Sequence, residues 1–96
     1  MIVSFNSKAT EDLFHGIDSR EARKISRNIW KAGWRKLDML NAASELMDLR
    51  APSGNRLEAL KGSLKGKWSI RVNDQYRIVF EFRDGNAYEV DLVDYH

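Results

Sequence analysis

Two stretches of this chain hold residue types from which phosphodiester chemistry can be built. The first, "LKGSLKGKWSIRVNDQYRIVF", supplies Lys61, Lys65, Lys67, Arg71 and Arg77 with Trp68 and Tyr76 among them. These are cations for phosphate and rings able to stack on bases. Trp68 shares its strand pattern with Ile70 and Val72 and is read as core. Arg77 sits among aliphatic and aromatic strand neighbours, which hold a guanidinium ready for phosphate. The second stretch, the terminal "DYH", places Asp94, Tyr95 and His96 together, three groups able to exchange protons. RNA carries its own nucleophile, the ribose 2′-OH. An enzyme acting on it must align that hydroxyl, take its proton, stabilise charge on the phosphoryl oxygens and protonate the leaving 5′-oxygen. Lys and Arg suit the charge, and a histidine with an ordinary pKa of about 6.5 suits the protons.

Other chemistries find little support. There is no cysteine and there are two histidines, so no thiol nucleophile, disulfide frame or thiolate metal site is available, and no metal or cofactor is expected. His15 stands alone in a loop, and His96 has no serine in a nucleophile-elbow context. Lys61, Gly62 and Gly66 do not follow the order of a phosphate-binding loop. The net charge of +2 conceals sorting along the chain. Residues 20–36 hold seven Lys or Arg against one acid, and residues 50–77 seven against two, so the remainder is acidic. Sorted charge of this kind concentrates positive potential and favours polyanionic partners. Within the second segment Arg56, Lys65, Lys67 and Arg71 are the expected RNA-binding cations. The alternative is a pair of solvated faces.

Certain elements must position these groups. "MIVSF" reads as an opening strand, and Ser7 as the N-cap of a short helix through Phe14 that "HGIDS" ends. A second helix is expected from Ser19, with Ala22, Ile25, Ile29, Leu37 and Leu40 on its apolar face and Gly33 as a candidate kink. "SELMDL" suggests a helical turn, and "APSGN" closes the helical half. Then the period changes. "RLEAL", "KWSIRV", "YRIVFEF" and "AYEVDLV" are strand candidates separated by turn sequences. Ile78, Phe80 and Phe82 share one face of their strand, with Arg77, Val79 and Glu81 on the other. In the last strand Tyr88, Val90, Leu92 and Asp94 alternate with Glu89, Asp91, Val93 and Tyr95. The expected class is α+β: a mainly antiparallel curved sheet, N-terminal helices packed on one face, the other face free. Only three residues follow Val93, a reach of about 10 Å, which keeps Tyr95 and His96 near the sheet.

The 96 residues, 43% of them hydrophobic, fit one domain spanning 1–96. No basic start with an apolar run marks a signal peptide, and no stretch of about 18 apolar residues is present, so no membrane partner is expected and the cytoplasm is the default location. From "MIVSF" through "RKLDMLNAASELMDLRAPSGNRLEALKG" and "KWSIRVNDQYRIVF" to "VDYH", the sequence resembles the HigB group of the RelE/ParE toxin superfamily. That resemblance implies a RelE-like fold, ribosome-dependent cleavage of mRNA, and inhibition by a cognate helix-turn-helix antitoxin of the HigA type. It points to Lys61 in "LKG", Arg77 in "YRI", and Tyr95 and His96 in "DYH" as the catalytic set, with Asp94 beside them. Some relatives carry a histidine three residues before the lysine. Glu58 stands there in this chain, which makes His96 the better candidate for general base. A non-catalytic nucleic-acid-binding module and a ParE-like gyrase inhibitor remain as alternatives.

Overall fold

In a computed structural model, which describes residues 1–95, two helices lie against a four-stranded antiparallel sheet. The helices are α1 (Lys8–Phe14) and α2 (Trp30–Ala42); the strands are β1 (Glu58–Ala59), β2 (Trp68–Arg71), β3 (Tyr76–Arg83) and β4 (Asn86–Asp94), in spatial order β1-β2-β3-β4. The expected α+β class with a mainly antiparallel sheet is observed.

Ser7 caps α1 as its sequence suggests: its Oγ accepts from the Thr10 backbone N–H at 3.2 Å. The cap is also tied to the sheet. Ser7 Oγ and Thr10 Oγ1 donate to one oxygen of Asp91 at 2.8 and 3.1 Å, and Thr10 Oγ1 accepts from the Leu92 N–H at 3.0 Å. The second helix is shorter than expected. Two 3-10 turns, Ala22–Lys24 and Arg27–Ile29, precede α2, because Ile25 and Ser26 adopt extended ψ values of 130° and 125°. Ser26 Oγ donates to Asn28 Oδ1 at 2.6 Å, and Trp30 Nε1 donates to the Ile25 carbonyl at 2.8 Å. Short polar side chains and an indole thus engage locally, at the expense of the helix ladder. Gly33 lies within α2 as a packing position, since a Cβ there would come within 3.2 Å of Leu92 Cδ2. "SELMDL" forms the expected turn as a 3-10 helix, Leu46–Arg50.

The core lies between helices and sheet, where Leu13, Ile29, Leu37, Leu40 and Leu49 meet Ile70, Ile78, Phe80, Val90 and Leu92. Phe80 is fully buried, and truncating such a residue to Ala costs about 3–5 kcal/mol. Trp68 packs against this core, as expected. "RLEAL" contracts to Glu58–Ala59, because Arg56 just before it is left-handed at φ 45°.

β4 carries a bulge. Val79 pairs with Asp91 but Glu81 with Tyr88, so Glu89 and Val90 stand where β3 has Phe80 alone. Glu89 takes up the extra length at φ 53°. Ala87 and Val90, three residues apart, are therefore both buried. Tyr88 does not share the face of Val90 and Leu92 as simple alternation suggests; it lies under the Arg83 guanidinium at 3.9 Å. The bulge also explains "MIVSF". That segment makes two isolated parallel bridges to β4, Ile2 to Ala87 and Phe5 to Val90, because the intervening Glu89 N–H turns to Ser4 Oγ at 2.9 Å.

Candidate active site

Antiparallel pairing decides which side chains share the face away from the helices. Residues directly opposite in register project the same way. Arg71, Arg77 and Val93 form one row, and Ser69, Val79 and Asp91 the next, with Glu58 opposite Ser69. This outward face is where the expected cation Arg77 and Tyr95 meet.

Arg77 is 9% exposed, unusual for an arginine, and hydrogen bonds hold it. Its Nε donates to Ser69 Oγ at 2.9 Å, and Nη2 donates to the Arg56 carbonyl at 2.6 Å. Glu58 Oε1 lies 4.0 Å from Nη2. Tyr95 completes the surround: the Arg77 guanidinium carbon is 5.7 Å from its ring centroid, and the Tyr95 backbone N–H donates to the Gln75 carbonyl at 2.8 Å. That bond carries the β3–β4 ladder one residue past β4 and holds Tyr95 near the sheet. Asp94, the last residue of β4, accepts from Gln75 Nε2 at 2.9 Å. His96 lies outside the described residues.

Lys61 is placed differently. It heads a 3-10 turn, Gly62–Leu64, exposed and outside the strands; the Arg77–Tyr95 contact does not include it. Lys65 is exposed on the same turn. Lys67 is half-buried, with its Nζ 4.0 Å from Glu81. Arg71, beside Arg77 across the ladder, is paired with Asp74. Arg56 contributes through its backbone: its left-handed conformation accompanies the carbonyl that receives Arg77, while its side chain lines a second hollow with Arg50, Ser53 and Leu57.

Tyr95 lines a cleft of about 290 Å³. Val79, Val93 and Leu64 supply its apolar lining, Lys67 one cation, and Glu89, Asp91 and Asp94 an acidic margin. Arg77, lying against Tyr95, is a permanently charged planar donor of the kind that suits phosphoryl oxygens. Among the described residues no three His, Asp or Glu side chains group to hold a metal ion.

Three polar residues escaped the sequence reading. Ser69 is fully buried and bonded to Arg77, and its only sequence signal is its place between Lys67 and Arg71 in the outward alternation. Asn55 and Lys36 are the others. Lys36 Nζ donates to Asn55 Oδ1, while Asn55 Nδ2 donates to the carbonyls of Leu49 and Ala51 at 3.2 and 3.3 Å. Burial, and then the charges of Arg35 and Arg71, push the Lys36 amine below its ordinary pKa. No local pattern in "APSGN" marks its asparagine as the one that turns inward.

Residues 3–96 match the family model described as HigB-like toxin, RelE-like toxin of type II toxin-antitoxin system HigB. A protein called Toxin HigB-1 from Vibrio cholerae serotype O1 is 46% identical over 87 residues, covering 91% of this chain and 90% of the relative. One called Endoribonuclease HigB from Proteus vulgaris is 32% identical over 101 residues, covering all of both. Among solved structures, a heterotetrameric YoeB-YefM toxin-antitoxin complex from Staphylococcus aureus contains a chain that aligns with a TM-score of 0.60 at 20% identity, covering 100% of this chain and 95% of that one. At that identity the likeness concerns the fold.

Proposed function

Because the chain belongs to the HigB-like family, the RelE-like toxins of type II toxin-antitoxin systems, we propose that it is a metal-independent endoribonuclease that cleaves mRNA on the ribosome. The observation that carries this reading is Arg77, a guanidinium buried on the outward sheet face, fixed by Ser69 and the Arg56 carbonyl, and lying against Tyr95. The name of the Proteus vulgaris relative, which covers the whole chain, supports the same chemistry.

In the reaction the ribose 2′-oxygen attacks the adjacent phosphorus as its proton passes to a base. The P–O5′ bond breaks, the leaving oxygen takes a proton, and a 2′,3′-cyclic phosphate and a 5′-hydroxyl result. Arg77 would stabilise charge on the phosphoryl oxygens, and Lys61 would add a second cation from its turn. His96, with Tyr95 and Asp94 beside it, would handle the protons. Arg56, Lys65, Lys67 and Arg71 would contact the phosphates of message and ribosome. The regulator in this reading is a cognate helix-turn-helix antitoxin of the HigA kind, and the place of action is the cytoplasm.

The test maps 5′ ends of mRNA after induction, comparing the full chain with one ending at Asp94, and repeats the comparison on naked RNA. New ends on ribosome-bound message that vanish with Tyr95 and His96 are expected. Undiminished cleavage by the shortened chain would overturn the assignment of the terminal pair, and equal cleavage of naked RNA would overturn the dependence on the ribosome. Growth inhibition without new RNA ends would overturn the nuclease reading, and loss of gyrase supercoiling activity would then identify a gyrase inhibitor.

A further inference from the structure

Among the described residues Ser69 is the side chain that hydrogen-bonds the Arg77 guanidinium from the neighbouring strand, and nothing in the proposed reaction needs it directly. It is fully buried, on β2, one strand away from Arg77. Its Oγ accepts from Nε at 2.9 Å, and its carbonyl lies 3.5 Å from Nη2. The third acceptor is the Arg56 carbonyl at 2.6 Å from Nη2. An arginine presents five N–H donors in a rigid plane. These bonds all fall on Nε and Nη2. Two anchored nitrogens fix both the direction and the roll of the fork without using Nη1. The hydrogen-bond acceptors are a hydroxyl and carbonyls, uncharged groups; the Glu58 carboxylate stands off at 4.0 Å on an exposed side chain, where solvent screens its pull on the charge that phosphate would need.

The Arg56 carbonyl has its own support. Arg56 holds a left-handed conformation, φ 45° and ψ 58°, which costs a non-glycine residue about 1–2 kcal/mol. The preceding Asn55 is fully buried and bonded to Lys36 and to the carbonyls of Leu49 and Ala51, so the chain enters Arg56 from a fixed point.

We propose that Ser69 is a positioning residue for the reaction, acting through its hydrogen bond to Nε to aim the Arg77 guanidinium at the phosphoryl group. This rests on the reading of Arg77 given under Proposed function. A hydroxyl that merely filled the sheet would matter equally with or without Arg77; one that works through Arg77 matters only when Arg77 is present.

The experiment is a double-mutant cycle of Ser69→Ala and Arg77→Ala, with single-turnover rates and half-saturating concentrations measured on ribosome-bound mRNA. Ser69→Ala is expected to lower the rate between about 10- and 100-fold, as small misplacements of catalytic groups do, with half-saturation nearly unchanged. In the Arg77→Ala background it should change the rate by less than about twofold, since coupled residues are strongly non-additive. A full-sized loss from Ser69→Ala in that background, or a wild-type rate for Ser69→Ala alone, overturns the proposal while leaving the nuclease reading intact. A wild-type rate for Arg77→Ala overturns the proposal together with the role given to Arg77 under Proposed function. If Ser69→Ala does not fold, the unaltered chain decides by NMR. The Arg77 Nε–H proton should exchange far more slowly than that of free arginine, and exchange at the free rate would remove the cradle.

Discussion

Arg77 and Lys61 belong to the same proposed site, yet the fold treats them in opposite ways. Arg77 rises from the middle of the sheet, buried, with side-chain and backbone acceptors converging on it. Lys61 stands at the start of an exposed turn whose Gly62 and Gly66 have φ of 65° and 96° and nothing within 4 Å of where a Cβ would sit. The first group is ordered before any ligand arrives, at the cost of desolvating a charge. The second keeps its solvent and its freedom, and must surrender them on binding. A preorganised cation stabilises a developing charge most strongly, whereas a mobile one serves capture and can adapt to its partner.

Substitution at the two cations is the most direct way to break that contrast. Arg77→Ala should lower the cleavage rate by about 10²–10³-fold, the usual cost of removing a preorganised donor. Lys61→Ala should cost less in rate and proportionately more in half-saturation. Equal losses, or a larger one at Lys61, measured in single-turnover assays on ribosomes, would erase the distinction. A smaller effect is expected from charge reversal on the turn and just before β2. Lys65→Glu with Lys67→Glu should weaken ribosome association, and the plot of log affinity against log salt should become shallower by about one unit of slope for each phosphate no longer neutralised. An affinity insensitive to salt in the unaltered chain would place the interaction elsewhere.

Arg56 allows a finer division, because backbone and side chain serve different ends there. Arg56→Gly keeps a carbonyl free to bond Arg77 and removes the left-handed strain, so stability should stay within about 1 kcal/mol of the original. Ribosome affinity should nevertheless fall. If denaturant unfolding shows a large loss of stability, the guanidinium is structural and not a phosphate contact.

The mildest perturbation is acid. Asp12 is held below the usual carboxylate range chiefly by the Ser19 hydroxyl, Asp18 by Arg23 and then Arg27, and Asp48 by the backbone N–H groups of Glu45 and Ser44. A depressed folded-state pKa gives stability that is complete above the ordinary value of about 4 and disappears as pH falls through the depressed one. The melting temperature should therefore decline below about pH 4, and Asp48→Asn should flatten part of that decline. All three acids lie outside the sheet, while the groups that hydrogen-bond Arg77, a hydroxyl and carbonyls, do not titrate, and the one carboxylate facing it among the described residues, Glu58, is exposed and 4.0 Å away. Protection of the Arg77 Nε–H should thus outlast the first acid-induced loss, as hydrogen exchange can show.

What could be read from the sequence follows the same division between regular and irregular chain. Alternation placed Ile78, Phe80 and Phe82 together and set Arg77 and Val79 on the opposite face, because a strand repeats every second residue. Ser7 announced α1 through an ordinary cap. The start of α2 was obscured by Ile25, Ser26 and Asn28, whose departures depend on an indole reaching back to a carbonyl. Glu89 in a left-handed conformation had no signal, since glycine is the residue that usually marks one. Within the candidate site, Arg77 and Tyr95 stood out by residue type, and the structure brings their side chains together. Ser69, Asn55 and Lys36 were not, because their roles arise from pairings between segments separated along the chain.

The bulge makes inside and outside in β4 a matter of counting. Val90 and Leu92 are in the core, and Asp91 and Val93 on the outward face, only because one residue before them is absorbed without advancing the ladder. Deleting Glu89 would let the ladder run uninterrupted and keep those destinations, with Val90 opposite Phe80, Asp91 still opposite Val79 and Leu92 still opposite Ile78. A residue inserted after the bulge would instead exchange inside and outside for every position beyond it, a frameshift in three dimensions, whereas substitution at the same place is local. The segment from Asp91 to Tyr95 should accordingly tolerate many changes of letter but not an inserted residue, unless a deletion nearby restores the length.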